Sequence, residues 1–218
     1  MKPKFNMTLE QNIFIAKRNI VDYIYKSANL EGIHVTLEET QAIFDGIGVE
    51  GVKVDDIIKI NNLKRAWQFM LDTLDRSTDF DYLCRLNMII GSEGSIYGAG
   101  KIRAYDVKIS GTNWQPPLPF EYDIRNEMAD ILKIKSETER AITLMLWCMR
   151  RQIFIDGNKR TAMMIANKEM IVNGCGIISI PNEKIKTFYE LLIKFYETNK
   201  MEEIKMFIYE NCIDGCNF

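Results

Sequence analysis

The sequence predicts a mainly α-helical bundle carrying one small β-hairpin insert, and three observations support that prediction. Thr8 with Gln11, Thr36 with Glu39 and Ser136 with Glu139 each write a capping box, the local signature of a helix start. Apolar residues then recur at three- and four-residue spacing along most of the chain. Between 91 and 119 that period is lost among Gly91, Gly94, Gly98, Gly100 and Gly111, and the stretch closes on Pro116, Pro117 and Pro119.

Each element follows from its own signals. After Thr8, Ile13, Ala16, Ile20 and Ile24 predict one helix that ends at Gly32. Thr36 opens a short helix ending near Gly46. Ile57, Ile60, Leu63, Trp67, Met70 and Leu74 lie on one face of a longer helix over about 56–74, and another helix spans 80–90. Within the insert, 101–104 and 107–110 are strand-like: Val107 and Ile109 alternate with Lys108 and Ser110, as in a half-exposed strand. The prolines cannot continue a helix and stop the insert. Helical spacing resumes at about 120–132. Ser136 opens an apolar helix through Ile142, Met145, Leu146 and Met149, and a further helix is expected over 161–172, ended by Gly174 and Gly176. A short strand over 177–180 and two amphipathic helices complete the pattern. No internal repeat or Gly/Ser linker divides the 218 residues, so a single domain, 1–218, is expected.

Composition excludes several function classes. A net charge of −2 suggests no duplex-wide phosphate-binding surface, so no nucleic-acid partner is expected, and no apolar run approaches the ~20 residues a membrane span needs. The start of the chain lacks the apolar core of a signal peptide. Five cysteines form an odd set without a CxxC pair, and the lone histidine, His34, is far from them, so a reduced, cytoplasmic, metal-free thiol set is expected.

The tract from Gln152 to Arg160 concentrates chemistry between two apolar helices. The first turn of the second helix offers unpaired N–H groups and the positive end of its dipole. Gly157 can adopt the backbone angles that turn several N–H groups toward one point, as in an anion nest. Asn158 adds an amide, while Lys159 and Arg160 add full charges. Asp156 is the hard oxygen ligand that a phosphate-bound Mg²⁺ takes from protein. The same residues also suit an ordinary charged helix–helix turn. No GxxxxGK[ST] loop is present.

Gln152-Ile153-Phe154-Ile155-Asp156-Gly157-Asn158-Lys159-Arg160 resembles the signature of the Fic/Doc (Fido) family, HxFxxGN followed by G or K and then R. Two further segments agree. The stretch from Gly100 through Pro117 is similar to the flap that precedes the motif in many bacterial members. Ser27-Ala28-Asn29-Leu30-Glu31-Gly32 fits the pattern [ST]xxxE[GN] of an N-terminal inhibitory helix. The resemblance implies a Fido-type helical bundle with an inhibitory helix in 1–35, a flap in 91–119 and motif-bearing core helices in 120–218. It implies a bacterial, autoinhibited protein adenylyltransferase that moves AMP from ATP to a protein hydroxyl. Asp156 would hold Mg²⁺; Gly157, Asn158 and Lys159 would line the anion hole, and Arg160 would neutralise phosphate charge. The flap, through Arg103, Val107 and Ile109, would pair with an extended target segment. Ser27 and Glu31, one turn apart, would face the site.

Two positions depart from the family pattern. The motif histidine, the general base, is Gln152, whose carboxamide orients a hydroxyl but accepts no proton at physiological pH. Met163 stands where AMP-transferring members carry a second arginine, which leaves Glu31 only Lys159 or Arg160 as partner. Three outcomes therefore stay open: slow AMP transfer, Doc-like phosphate transfer, and an inactive nucleotide-binding module that regulates a partner. Assembly into a homo-oligomer is equally open.

Overall fold

A helix buried on every side lies at the centre of a bundle, and long stretches of α7 (Glu137–Arg151) and α8 (Asn158–Val172) are buried in that way. Every residue from Ala141 to Met149 is buried, as are all of α8 from Arg160 to Ile171. In this computed structural model, which describes residues 1–217, the pair forms the most extensive helix–helix contact of the molecule. The motif tract is the connection between them.

The other elements surround this hairpin. In chain order α1 (Leu9–Arg18), α2 (Ile20–Leu30), α3 (Leu37–Phe44), α4 (Val54–Asp72), α5 (Phe80–Ile90) and α6 (Glu121–Leu132) come before it. β1 (Ile177–Ile178), α9 (Ile185–Thr198), α10 (Glu202–Asn211) and β2 (Ile213–Asp214) follow. The capping boxes at Thr8 and Thr36 form in full. At Ser136 only half forms: its hydroxyl accepts from the Glu139 N–H at 3.3 Å, but the Glu139 carboxylate turns to Lys205 and the Met1 amine. The single helix expected from Thr8 to Gly32 is divided at Asn19 (φ −106°, ψ 12°), whose side chain lies 3.4 Å from the Tyr23 hydroxyl. α8 starts at Asn158, earlier than the expected 161, because Gly157 in the left-handed region turns the chain directly into it.

The mainly α class is as expected, with one two-stranded antiparallel sheet among the described residues. That sheet pairs Ile177 with Asp214 and Ile178 with Ile213, so the strand expected at 177–180 is present in its first half. The hairpin expected in the insert is not: 91–119 contains no strand. The backbone N–H of Arg103 donates to the Ile153 carbonyl at 3.0 Å, and its guanidinium gathers the Tyr105, Pro116 and Pro117 carbonyls, so 101–104 is bound to the motif loop rather than to 107–110. Val107 and Ile109 still alternate with exposed Lys108 and Ser110, and their backbone makes no hydrogen bond among the described residues.

Buried polar side chains on the helices fasten the loops. Asn62 donates to the Ile90 and Ser92 carbonyls at 3.2 and 2.9 Å, and Asn167 brackets Ile178 through both its amide groups at 2.9 and 2.7 Å. Lys168 donates to the Arg76 carbonyl at 2.6 Å. Each would cost on the order of 1–3 kcal/mol if left unpaired. No described helix is long and apolar enough to cross a membrane.

Candidate functional site

A cavity of about 590 Å³ opens over the α7–α8 connection. Its floor is Gln152, Ile155, Asp156, Asn158 and Lys159; one wall is α9, and the rim is the flap edge from Val107 to Gly111. Glu31, from the end of α2, enters from the remaining side. The volume lies within the range typical of small-molecule sites.

The loop is held from beneath. Asn158 donates to the Phe154 carbonyl at 2.8 Å and to Gln152 Oε1 at 3.2 Å, while its own oxygen accepts from the Phe154 N–H at 2.9 Å. Its side chain, expected to line the anion hole, therefore braces the loop. Asn87 of α5 adds a second clasp that the sequence did not reveal. It donates to the Asp156 carbonyl at 3.0 Å and to Thr161 at 3.1 Å, and accepts from Gly100 N–H at 2.8 Å, tying loop to flap base. An asparagine within an apolar helical face gives no signal of such a role.

Gly157 is required by both conformation and space. Its φ is +75°, and a Cβ there would lie 2.8 Å from Ile96 Cδ1 and 3.1 Å from Asn87 Nδ2. Gly157→Ala is expected to cost about 1–2 kcal/mol for the left-handed backbone alone, plus the displaced clasp. Thermal melting of the variant checks this, and an unchanged Tm contradicts it.

The cations converge on Glu31. Lys159 Nζ lies 3.5 Å from Glu31 Oε1, and Arg160 Nε lies 3.3 Å from Oε2. Arg160 also reaches Asp156 Oδ2 at 3.6 Å. These distances exceed the 2.7–2.9 Å of good charge-assisted bonds. Accordingly Arg160 Nε and Nη1 and Glu31 Oε1 are buried without a hydrogen-bond partner among the described residues. Burial pulls the Lys159 pKa down, but Glu31 and then Tyr189 outweigh it, so the net shift is upward. That contact stabilises the fold fully below the ordinary lysine value of 10.5 and is lost only as pH rises through the raised value. The start of α8 has no side-chain cap, and Thr161 is the first residue of its opening turn to find a backbone acceptor, on Gly157. Orphan amides, Lys159 and Arg160 thus share one focus suited to an anion.

Gln152 sits left-handed at φ 47°, and its carboxamide is engaged: Nε2 donates to the Met149 carbonyl at 2.6 Å, while Oε1 accepts from Asn158. Burial raises the Tyr189 pKa, and it raises that of Tyr196 against a lowering contact from Gln152, so both phenols stay protonated. His34 is exposed and lies outside the cavity.

Other expected site residues are redistributed. Asp156 stands at the cavity edge with its side chain 61% exposed, one oxygen accepting from Gly157 N–H at 2.6 Å. Val107 and Ile109 line the rim. Arg103, expected to meet a target, is instead buried under the flap. It donates to the carbonyls of Gln152 (2.6 Å), Tyr105 (2.7 Å), Pro116 (3.1 Å) and Pro117 (2.7 Å). Ser27 is buried and turns away from the main cavity, against Trp67 and Met163. Trp114 anchors the flap by stacking on Tyr196 at 5.9 Å, with Arg150 over its ring at 4.2 Å.

Residues 77–170 match the profile of the Fic/DOC family. This segment is a Fic/DOC-family domain. It takes in the motif tract and the flap, and leaves Glu31 and the α9 wall outside. Over 189 residues the chain is 24% identical to the protein adenylyltransferase Fic of Drosophila grimshawi, covering 81% of this chain and 38% of that protein. The chain therefore spans well under half of that relative. The fold is that of solved Fic proteins. C. elegans Fic-1 superposes with a TM-score of 0.72 at 21% identity, covering 89% of this chain and 60% of that one. A Fic-domain-containing signaling protein of Bacteroides thetaiotaomicron gives 0.75 at 17% identity, covering 89% and 81%.

Proposed function

We propose that this Fic-type chain binds Mg-ATP in the cavity, is held back by Glu31, and slowly transfers AMP to a hydroxyl of a protein segment lying along the flap. The observation that carries the reading is the Arg160 guanidinium. It is 3% exposed and has two nitrogens without a hydrogen-bond partner among the described residues. A phosphate offers better-placed oxygens than Glu31 does. Lys159 and the opening turn of α8 face the same point.

Asp156 is the residue that fits Mg²⁺. The ion takes one or two carboxylates plus phosphate oxygens, and the described residues hold no cluster of three or more potential ligands that would suit another metal. Bound there with the nucleotide, Mg²⁺ would neutralise phosphate charge. Lys159 and Arg160 hold the phosphates and stabilise charge developing on the leaving group. The free edge at Val107–Ile109 offers main-chain partners to an extended target and so orients its hydroxyl. Gln152 removes no proton, and a missing general base costs about 10²–10⁴ in rate. The activity named for the Drosophila relative supports AMP as the transferred group.

A second reading, a catalytically silent nucleotide-binding regulator, is favoured by the engaged carboxamide of Gln152. Labelled ATP separates the readings. With Mg²⁺ and mixed protein acceptors, α-label on protein supports AMP transfer, and γ-label alone makes the chain a phosphotransferase. Nucleotide binding by calorimetry without either label leaves the regulator, and no binding at all removes both readings.

A further inference from the structure

The last carbonyls of a helix must find partners beyond the helix itself. At the end of α2, Ser27 O accepts from Glu31 N–H at 3.3 Å, Ala28 O from Glu31 and Ile33 at 3.0 Å each, and Asn29 O from Gly32 at 3.0 Å. Leu30 O receives no backbone donor among the described residues. Its partner is the Tyr189 hydroxyl, on α9. Leu30 is 2% exposed, so water is poorly placed to substitute. The next residue is Glu31, and the Tyr189 ring also lies against Lys159, with Nζ 5.7 Å from its centroid.

Tyr189 belongs to a stripe with Leu192, Ile193 and Tyr196, the helical spacing that gives α9 one face on the cavity. The flap rests on that face. Gly111 approaches Ile193 so closely that a Cβ would lie 2.9 Å from its Cδ1, and Tyr196 stacks on Trp114. A rigid helix supporting the flap therefore also touches the carbonyl next to Glu31.

We propose that Tyr189 is a positioning residue: its phenol pins the end of α2 so that Glu31 stays over Lys159 and Arg160. The inference rests on the cavity being the nucleotide site. Tyr189→Phe keeps the ring and removes only the bond, leaving a buried carbonyl unpaired. The end of α2 then opens more often, and an incoming phosphate competes with Glu31 less often.

The test is a double-mutant cycle in Mg-ATP affinity by calorimetry, using the full chain, Tyr189→Phe, Glu31→Ala and the double variant. Loss of one hydrogen bond is expected to tighten binding about 3- to 10-fold in the presence of Glu31. In the Glu31→Ala background the same change is expected to do nothing. An equal effect in both backgrounds overturns the proposal, because it marks a direct contact between Tyr189 and nucleotide; so does weaker binding. Hydrogen exchange at Glu31, Gly32 and Ile33 gives a nucleotide-free readout, and Tyr189→Phe is expected to speed it by a similar factor. If no variant binds nucleotide, the cavity assignment fails while exchange still decides the pin. Unchanged exchange overturns it.

Discussion

Replacing Glu31 with alanine is expected to make the protein less stable and a better nucleotide binder at once. Glu31 faces two cations, Lys159 and Arg160, at 3.5 and 3.3 Å, and the guanidinium is 3% exposed. Removing one partner of a fully buried pair costs about 3–5 kcal/mol. Here the long contacts, the 14% exposure of Glu31 and the 27% exposure of Lys159 reduce that to about 2 kcal/mol. For a chain of this size that is a fall in Tm of about 4–8 °C. The charge imbalance left behind is what a nucleotide would satisfy. Mg-ATP affinity is expected to rise about 10- to 100-fold, which is ~1.4–2.7 kcal/mol. Ligand at a hundred times Kd would then restore about 2.7 kcal/mol of stability. Differential scanning calorimetry with and without Mg-ATP reads both effects. Glu31→Gln, which keeps the volume and loses the charge, is expected to follow alanine. An unchanged affinity in both variants would falsify the blocking role.

The parts legible in the sequence were those governed by local rules. Periodicity and caps located the helices, because a capping hydroxyl and an apolar face act within a few residues. The loop glycine was equally readable, since a left-handed turn needs it, and the cations after it stood out because a helix start disfavours positive charge unless an anion sits nearby. Tertiary hydrogen bonding was not readable. Arg103 looks like a docking residue because a cation on a surface loop ordinarily faces solvent, yet four carbonyls draw it inward. The Arg103 backbone, bonded to Ile153 of the motif loop, is also unavailable to the hairpin that alternation alone predicts. Asn87 and Tyr189, and the bracing role of Asn158, escaped notice for a related reason. Each satisfies a backbone group distant in sequence or buried in a turn, and residue type says nothing about which orphan group it will meet. α2 shows both sides: the spacing of Ser27 and Glu31 predicts a shared face, but at the helix end, where Leu30 meets Tyr189, only Glu31 reaches the cations.

Gln152→His is expected to raise the transfer rate by about 10²–10⁴, most visibly in combination with Glu31→Ala. The backbone is prepared for the exchange. Gln152 occupies the left-handed region at φ 47°, where histidine is one of the few non-glycine residues enriched. The Gln152 carboxamide makes two side-chain bonds, to the Met149 carbonyl and from Asn158. An imidazole can keep one, by donating to the carbonyl, and leave its other nitrogen basic toward the cavity. The stability cost is then about one hydrogen bond, ~1 kcal/mol, small beside the gain in rate. The pH profile identifies the cause. A histidine base is neutral above its ordinary value of about 6.5, so the gained rate should rise with pH and level off above pH 7. The parent chain has no titrating base at position 152 and should show no such rise. Tyr189 and Tyr196 cannot mimic it, because their pKa values are shifted upward, away from neutrality. Single-turnover assays from pH 5.5 to 8.5 would show whether the gain follows imidazole deprotonation. A rate that stays at the parent level across that range, with nucleotide still bound, would mean the hydroxyl along the flap never comes within reach of position 152, and the chain would then be a regulator that holds its nucleotide.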